Sequence, residues 1–335
     1  MAFAESGTRV AYLVGDDHGG AIIVVNDVGS IVAFDEPTLA TRSAAREAKA
    51  LRRLMFDLAT PVAQHRFRTQ LGNMCRGLGA EIGPQLVQAA GASGRLALVP
   101  VGPLAGIPWH AIDVDGDPLL RHVEVLYEPS AALGVVAQGR ARSDSSRCCV
   151  VSFVEDDDRP STMEAERSAV AQQWRERGMD VDEIVGDAAS VARVEQAIAS
   201  SAVAHVAAHA FERHLVSESG IALADGVLSA RRMLAVGAPA ELLFLAACST
   251  GRALLEEEEQ FTLAAVGLAA GSATVVSTLW PVPDVAGAVV AERFYEGWLR
   301  GEPPSRALRS AQLSLLDGGE FADEFFWASY MASGA

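Results

Sequence analysis

The chain has 335 residues, half of them hydrophobic and 21% charged. That composition excludes a disordered chain, and the length allows a sizeable core in one large or two modest domains. With 27 basic against 43 acidic residues the formal net charge is −16 and Lys49 is the only lysine, so no Lys/Arg-dense stretch offers the surface that nucleic-acid binding needs. The opening residues, MAFAESGTRV, lack the basic and apolar regions of a signal peptide. No apolar run reaches the roughly 18 residues of a membrane span. A cytoplasmic protein without membrane association is expected. Cys75, Cys148, Cys149 and Cys248 form no CxxC pair and read as reduced thiols.

In chain order, the first region reads as β-rich. Val10–Val14 and Ala21–Val25 flank a turn, and Ser30–Phe34 adds a third run, together a hairpin or small meander. A helical stretch opens after Pro37 and runs through Leu51, Leu54, Met55 and Leu58; a second follows Pro61 to about Ala90. These features define a non-catalytic N-terminal subdomain over 1–92. From 93 to 335 the pattern becomes α/β. Apolar runs at Arg95–Val101, Cys148–Val154, Ala202–Ala208, Leu242–Ala247 and Ala273–Leu279 alternate with amphipathic helices. The helices are expected at Thr162–Arg177, Ser190–Ser200, Phe261–Ala270 and Val285–Arg300. Continuous apolar strands between helices predict a mostly parallel sheet covered on both faces.

Ligands of such sheets bind beyond the carboxyl ends of the strands. Two runs end in reactive side chains there: Ala202–Ala208 leads into His209, and Leu242–Ala247 into Cys248. A thiolate attacks carbonyl carbon, and a neighbouring imidazole activates it and later protonates the leaving amine. The backbone N–H groups of Ala210 and Cys248, on the turns after these strands, are the candidate oxyanion donors. Taken singly, Cys248 reads as a small core hydrophobe and His209 as a satisfied histidine. The pair at two strand ends, His before Cys, favours a dyad. His205 and His209 at i, i+4 would suit zinc on a helix, with Glu212 or His214 as third ligand. The strand reading and the lack of HExxH or CxxC argue against it, so neither metal nor cofactor is expected. His205 then reads as a buried, hydrogen-bonded histidine.

Several segments resemble the CHAT family, a caspase-like module often found beside tetratricopeptide (TPR) repeats in bacteria. They are Gly102–Trp109, Tyr127–Ser130, Ala204–His209, Leu245–Gly251, Ala270–Ala273, Ser277–Val282, Phe294–Tyr295, Ala307–Gln312 and Phe326–Tyr330. The resemblance implies a caspase-like sandwich and a clan CD cysteine endopeptidase, with His209 as general base and acid and Cys248 as nucleophile. It departs from the family at Ala210, where Gly is usual, and at Ser249, where Glu is usual. Ala restricts φ, so Ala210 feeds a rival reading as a pseudopeptidase scaffold or sensor.

The resemblance also implies a specificity pocket lined from the Glu155–Asp158 loop, including Asp156, from Ala246 and from Asp284. Two carboxylate positions there suggest a polypeptide substrate basic at P1. Asp284 equally reads as an N-cap for the helix from Val285. Ser277, Thr278 and Trp280 are implied as an edge that pairs with extended substrate; Trp280 equally reads as core. The Glu256–Glu259 run reads as a solvated loop. Relatives are gated by a TPR or sensor domain, which makes such a domain or subunit an expected partner in a signalling or defence setting.

Overall fold

The computed structural model describes residues 7–15, 20–26, 30–35, 38–55, 58, 60–140, 146–154, 160–211, 216–246 and 262–334. Strands β1 (Arg9–Gly15), β2 (Gly20–Val25) and β3 (Ile31–Asp35) form the expected antiparallel meander. Two helices follow, α1 (Thr38–Met55) and α2 (Pro61–Ala90). Pro61 starts α2 where a missing N–H costs nothing, and the Thr60 hydroxyl accepts from the Ala63 N–H at 3.2 Å. Gly79 lets α2 press against the chain at Asp113, because a Cβ there would lie 1.7 Å from the Asp113 carbonyl oxygen.

β4 (Arg95–Pro100) and β5 (Glu124–Tyr127) complete a five-stranded sheet of order β3-β2-β1-β4-β5. β4 had been expected among the strands of the α/β sheet; instead it pairs in parallel with β1 and with β5. An apolar run states that a strand is buried but not which strand lies beside it. The division expected at 92/93 falls inside this sheet, since β1 precedes it and β4 follows it.

After α3 (Ala131–Gln138) comes the second sheet. Its elements are β6 (Arg147–Ser152), α4 (Pro160–Glu176), β7 (Asp180–Val185), α5 (Val191–Ser200) and β8 (Val203–Ala207). A small three-stranded sheet of β9 (Ala210–Phe211), β10 (Gly220–Leu223) and β11 (Gly226–Ser229) leads to α6 (Ala230–Val236). Then follow β12 (Leu242–Leu245), α7 (Leu263–Ala270), β13 (Thr274–Thr278), α8 (Asp284–Leu299), α9 (Pro304–Gly318) and β14 (Tyr330–Gly334). The order is β7-β6-β8-β12-β13-β14, parallel throughout except for β14.

Alternation along these strands feeds two cores. Val150, Val203, Leu242, Phe244 and Val276 pack with Trp174 of α4 and Val290, Phe294 and Tyr295 of α8. Val151, Ala204, Val206, Leu243, Leu245 and Val275 pack with Val194 and Ile198 of α5, Met233 of α6 and Leu268 of α7. Both faces are covered, which is why these strands read as unbroken apolar runs. The first core continues into the five-stranded sheet through Leu71, Leu96 and Trp109. No helix among the described residues is long and apolar enough to cross a membrane.

The two sheets also meet through a buried carboxylate. Glu128, just after β5, is 1% exposed; its Oε1 accepts from the Gly334 N–H of β14 at 3.2 Å. Oε2 finds no hydrogen-bond partner. Burial pushes this carboxyl from an ordinary 4.5 up to about 8. The folded protein therefore holds a proton that the unfolded chain releases near pH 4.5, and stability falls as pH rises from there to about 8. Glu128→Gln keeps a neutral acceptor. It should flatten this window and gain on the order of 3 kcal/mol at pH 8 relative to pH 4.5, read by denaturant unfolding at both pH values.

Candidate active site

The chain leaves β6 outward to β7, then returns across β6 to β8. α4 packs on one face and α5 on the other. The connections leaving β6 and β8 therefore diverge, which opens a crevice at their carboxyl ends. Two sequence candidates map to this end of the sheet, where β6 also runs out through Phe153 and Val154. β8 runs out to His209, and β12 to Ala246. Asp156 and Cys248 lie outside the described residues, as do Glu212, His214 and Glu256–Glu259.

β8 sits at the centre of the sheet, with Val203↔Leu242 through Val206↔Leu245 on one side and Val203↔Cys148 through Ala207↔Ser152 on the other. The segment is thus a strand, and the helical face that a zinc pair at His205 and His209 would use does not form. Among the described residues no group of three His, Cys, Asp or Glu could hold a metal. The two histidines part company at the strand end: His205 is fully buried, whereas His209 is exposed.

The backbone at His209 is fixed by its carbonyl, which accepts from the Ala222 N–H at 2.9 Å. That bond makes Ala210↔Ile221 a non-hydrogen-bonded antiparallel pair, so the Ala210 N–H points away from β10. Ala210 is in a strand with negative φ, for among the described residues the only non-glycine with positive φ is Asp115. The loss of the family's usual glycine therefore carries no backbone strain at this position.

The proposed substrate edge is arranged differently from expectation. β13 is an interior strand, paired with β12 on one side and β14 on the other. Ser277 is fully buried and Thr278 nearly so. Leu279 donates its N–H to the Ser329 carbonyl at 2.9 Å. Trp280 donates its N–H to Ser329 Oγ at 3.1 Å, and Ser329 Oγ–H returns a bond to the Trp280 carbonyl at 2.7 Å. These bonds occupy the β14-facing edge of 277–280. The Trp280 ring is wholly buried, edge-on to Phe67 at 5.3 Å, with its Nε1–H donated to Phe325 O at 2.9 Å. Trp280 packs as a core residue, the alternative the sequence also offered. Ala246 is half-buried against the main core. Asp284 is also half-buried, and it is the first residue of α8 rather than its N-cap, which is Pro283. Its carboxylate lies in the first turn, where the helix dipole favours negative charge.

Of the other thiols, burial pushes Cys148 up to about 12, Cys149 up to about 11 and Cys75 higher still, so all three are protonated packing residues. His205 is the buried, hydrogen-bonded histidine expected from sequence, but its partners, and the whole network at His110, were not anticipated. His110, lowered to about 3 by burial, lies with Nδ1 2.7 Å from Tyr127 Oη and Nε2 3.1 Å from Gln312. His205 meets Tyr295 Oη at 3.1 Å and Glu166 Oε1 at 3.1 Å. Apolar alternation carries no signal for such pairings, which join residues 17 to 202 positions apart.

A family model described as the CHAT domain matches residues 42–335. A human relative, tetratricopeptide repeat protein 28, is 28% identical over 113 residues; the match covers 34% of this chain and 5% of that protein. Among solved structures, separase in complex with securin from Saccharomyces cerevisiae aligns with a TM-score of 0.65 at 8% identity, covering 99% of this chain and 30% of that one. The Arg-specific cysteine proteinase gingipain R aligns with a TM-score of 0.57 at 10% identity, covering 76% and 67%. The chain therefore shares a caspase-like cysteine-protease fold while spanning a small part of the first two relatives.

Replacing Trp280 should behave as a core deletion. Trp280→Ala is expected to cost about 3–5 kcal/mol in denaturant unfolding. Unchanged stability with weakened peptide binding would instead mark a substrate contact.

Proposed function

Because the chain belongs to the CHAT domain family, we propose that it is a cysteine endopeptidase with His209 and Cys248 as its dyad. One observation carries the proposal. β8 and β12 pair in parallel at an offset of 39 residues, and the same offset separates His209 from Cys248. Neighbouring strands run about 4.8 Å apart, so side chains leaving both strands at matching positions start within reach of one another. A thiol at position 248 gives its proton to the His209 imidazole and attacks the scissile carbonyl carbon. The tetrahedral oxyanion is met by the N–H groups of Ala210 and Cys248. His209 then protonates the departing amine. Water, deprotonated by His209, hydrolyses the thioester and restores the thiol.

The substrate in this reading is a polypeptide with Arg or Lys at P1. Asp284 in the first turn of α8 and Asp156 after β6 supply carboxylates to one end of the sheet, and a bidentate carboxylate–guanidinium pair is the strong form of such recognition. The Arg specificity in the name of one structural neighbour is in keeping with this. The TPR relative supports a TPR-bearing region or subunit as the regulatory partner, in a cytoplasmic and bacterial setting. The pseudopeptidase alternative drew on Ala210, and the ordinary extended backbone there lends it nothing.

A peptidyl acyloxymethyl ketone library tests both levels at once. Cys248 should be labelled preferentially by probes with Arg or Lys at P1, with labelling falling by roughly a hundredfold or more in His209→Ala. Reactivity of Cys248 no greater than that of Cys75 would overturn the dyad. Labelling without a basic preference, unaltered by Asp284→Asn, would retain the dyad and overturn the P1 assignment.

A further inference from the structure

Three elements converge on one buried imidazole beneath the proposed dyad. His205 lies in β8, four residues before His209, with no solvent exposure. Glu166 reaches it from α4 with only 5% exposure, its Oε1 3.1 Å from Nε2 though off the line of an ideal hydrogen bond. Tyr295 reaches Nδ1 from α8 at 3.1 Å and is itself fully buried. Phe244 of β12 stacks on the ring, centroids 5.0 Å apart and planes 25° from parallel. Gly287 of α8 makes room for the carboxylate side of this group. A Cβ there would lie 3.1 Å from Tyr330 Oη and 3.9 Å from Glu166 Oε2.

A buried carboxylate is costly to carry unless it is partnered. The structure holds one where an all-apolar core would pack as well, which asks for a role beyond stability. With a Glu166 carboxyl oxygen 3.1 Å from it, Nε2 is the ring nitrogen to which the His205 proton is assigned. Nδ1 is then an acceptor, and the Tyr295 hydroxyl donates to it. The chain of groups thus has one direction, from tyrosine through imidazole to carboxylate. It ties the ring of β8 to helices on the sheet face opposite α5, α6 and α7. Ladder bonds set how far β8 slides against its neighbours. They end at Val206 on the β12 side and Ala207 on the β6 side, short of His209. Side-chain bonds at His205 add a restraint on the rotation of the strand at that end.

We propose that Glu166 is a positioning residue of the peptidase site, acting through His205 and Tyr295 to hold the strand end that presents His209. This rests on the dyad reading, and the test keeps the two apart. Ring-nitrogen NMR of 15N-histidine-labelled protein reports the tautomer, and steady-state kinetics with active sites titrated by a covalent probe report the positioning. In Glu166→Met the His205 ring should pass from the Nε2–H to the Nδ1–H tautomer. Glu166→Met and Tyr295→Phe should each lower kcat per titrated site by roughly five- to twentyfold with KM within about twofold. Glu166→Gln, which keeps an acceptor, should recover most of that loss. Tyr295→Phe removes a single hydroxyl and guards against a variant that fails to fold. An unchanged tautomer in Glu166→Met overturns the hydrogen-bond assignment. A changed tautomer with unaltered kcat leaves the cluster as core and overturns the positioning role. A wild-type protein that is neither labelled nor active removes the dyad reading itself, a result no variant effect can mimic.

Discussion

The parallel pairing of β8 with β12 is the constraint on which the rest depends. It is the central ladder of the six-stranded sheet and is buried on both faces. A slip of one residue would turn every side chain of either strand to the wrong core, since alternate positions feed separate apolar clusters. The ladder therefore holds its 39-residue offset rigidly. Whatever chemistry follows the two strands begins from that offset. The outward-then-return path from β6 through β7 to β8 opens the crevice beyond the carboxyl ends of β6 and β8.

Around this ladder the buried polar groups act as fasteners between layers. Glu124, 3% exposed, accepts from Ser305 at 2.6 Å and pairs with Arg95 and Arg306, binding the five-stranded sheet to α9. Gln312 of α9 donates to the Trp327 and Tyr330 carbonyls and lies 3.1 Å from His110 Nε2. Tyr295 of α8 bonds His205 of β8, and Glu166 of α4 lies 3.1 Å from the same ring. Each set joins segments distant in sequence through directional bonds, which select one arrangement of layers where apolar packing alone tolerates several. The negative charge of the chain reads differently in this light. Some of the acidic residues are structural, with Glu124, Glu128 and Glu166 inside the protein, and the raised Glu128 carboxyl adds no charge there at neutral pH.

Local features were legible in the sequence where local physics decides them. The meander over 10–34 showed its turns, α2 its Pro61 start, and the strands 203–207 and 242–245 their apolar runs. Ser190 and Thr262 accept from the third residue of the helices they precede, at Arg193 and Ala265. Non-local choices were not legible. The run at Arg95–Pro100 could not say which sheet it would join. Trp280 read equally as a substrate contact implied by the family resemblance and as core; the Ser329 bond and the ring of Phe67 that bury it lie far off in sequence. β13 read as an edge for the same reason, since β14 closes it from the end of the chain. For the candidate site, the sequence supplied the two residues, and the described strands that lead to them pair at a 39-residue offset.

The alignment itself can be trapped covalently. A disulfide needs Cα atoms within about 7 Å, and matching positions of two paired parallel strands lie about 4.8 Å apart. In His209→Cys, mild oxidation followed by peptide mapping should join the introduced thiol to Cys248 in most of the folded protein. Two free thiols at these positions after oxidation, in a variant that still melts cooperatively, would contradict the shared offset and the dyad built on it.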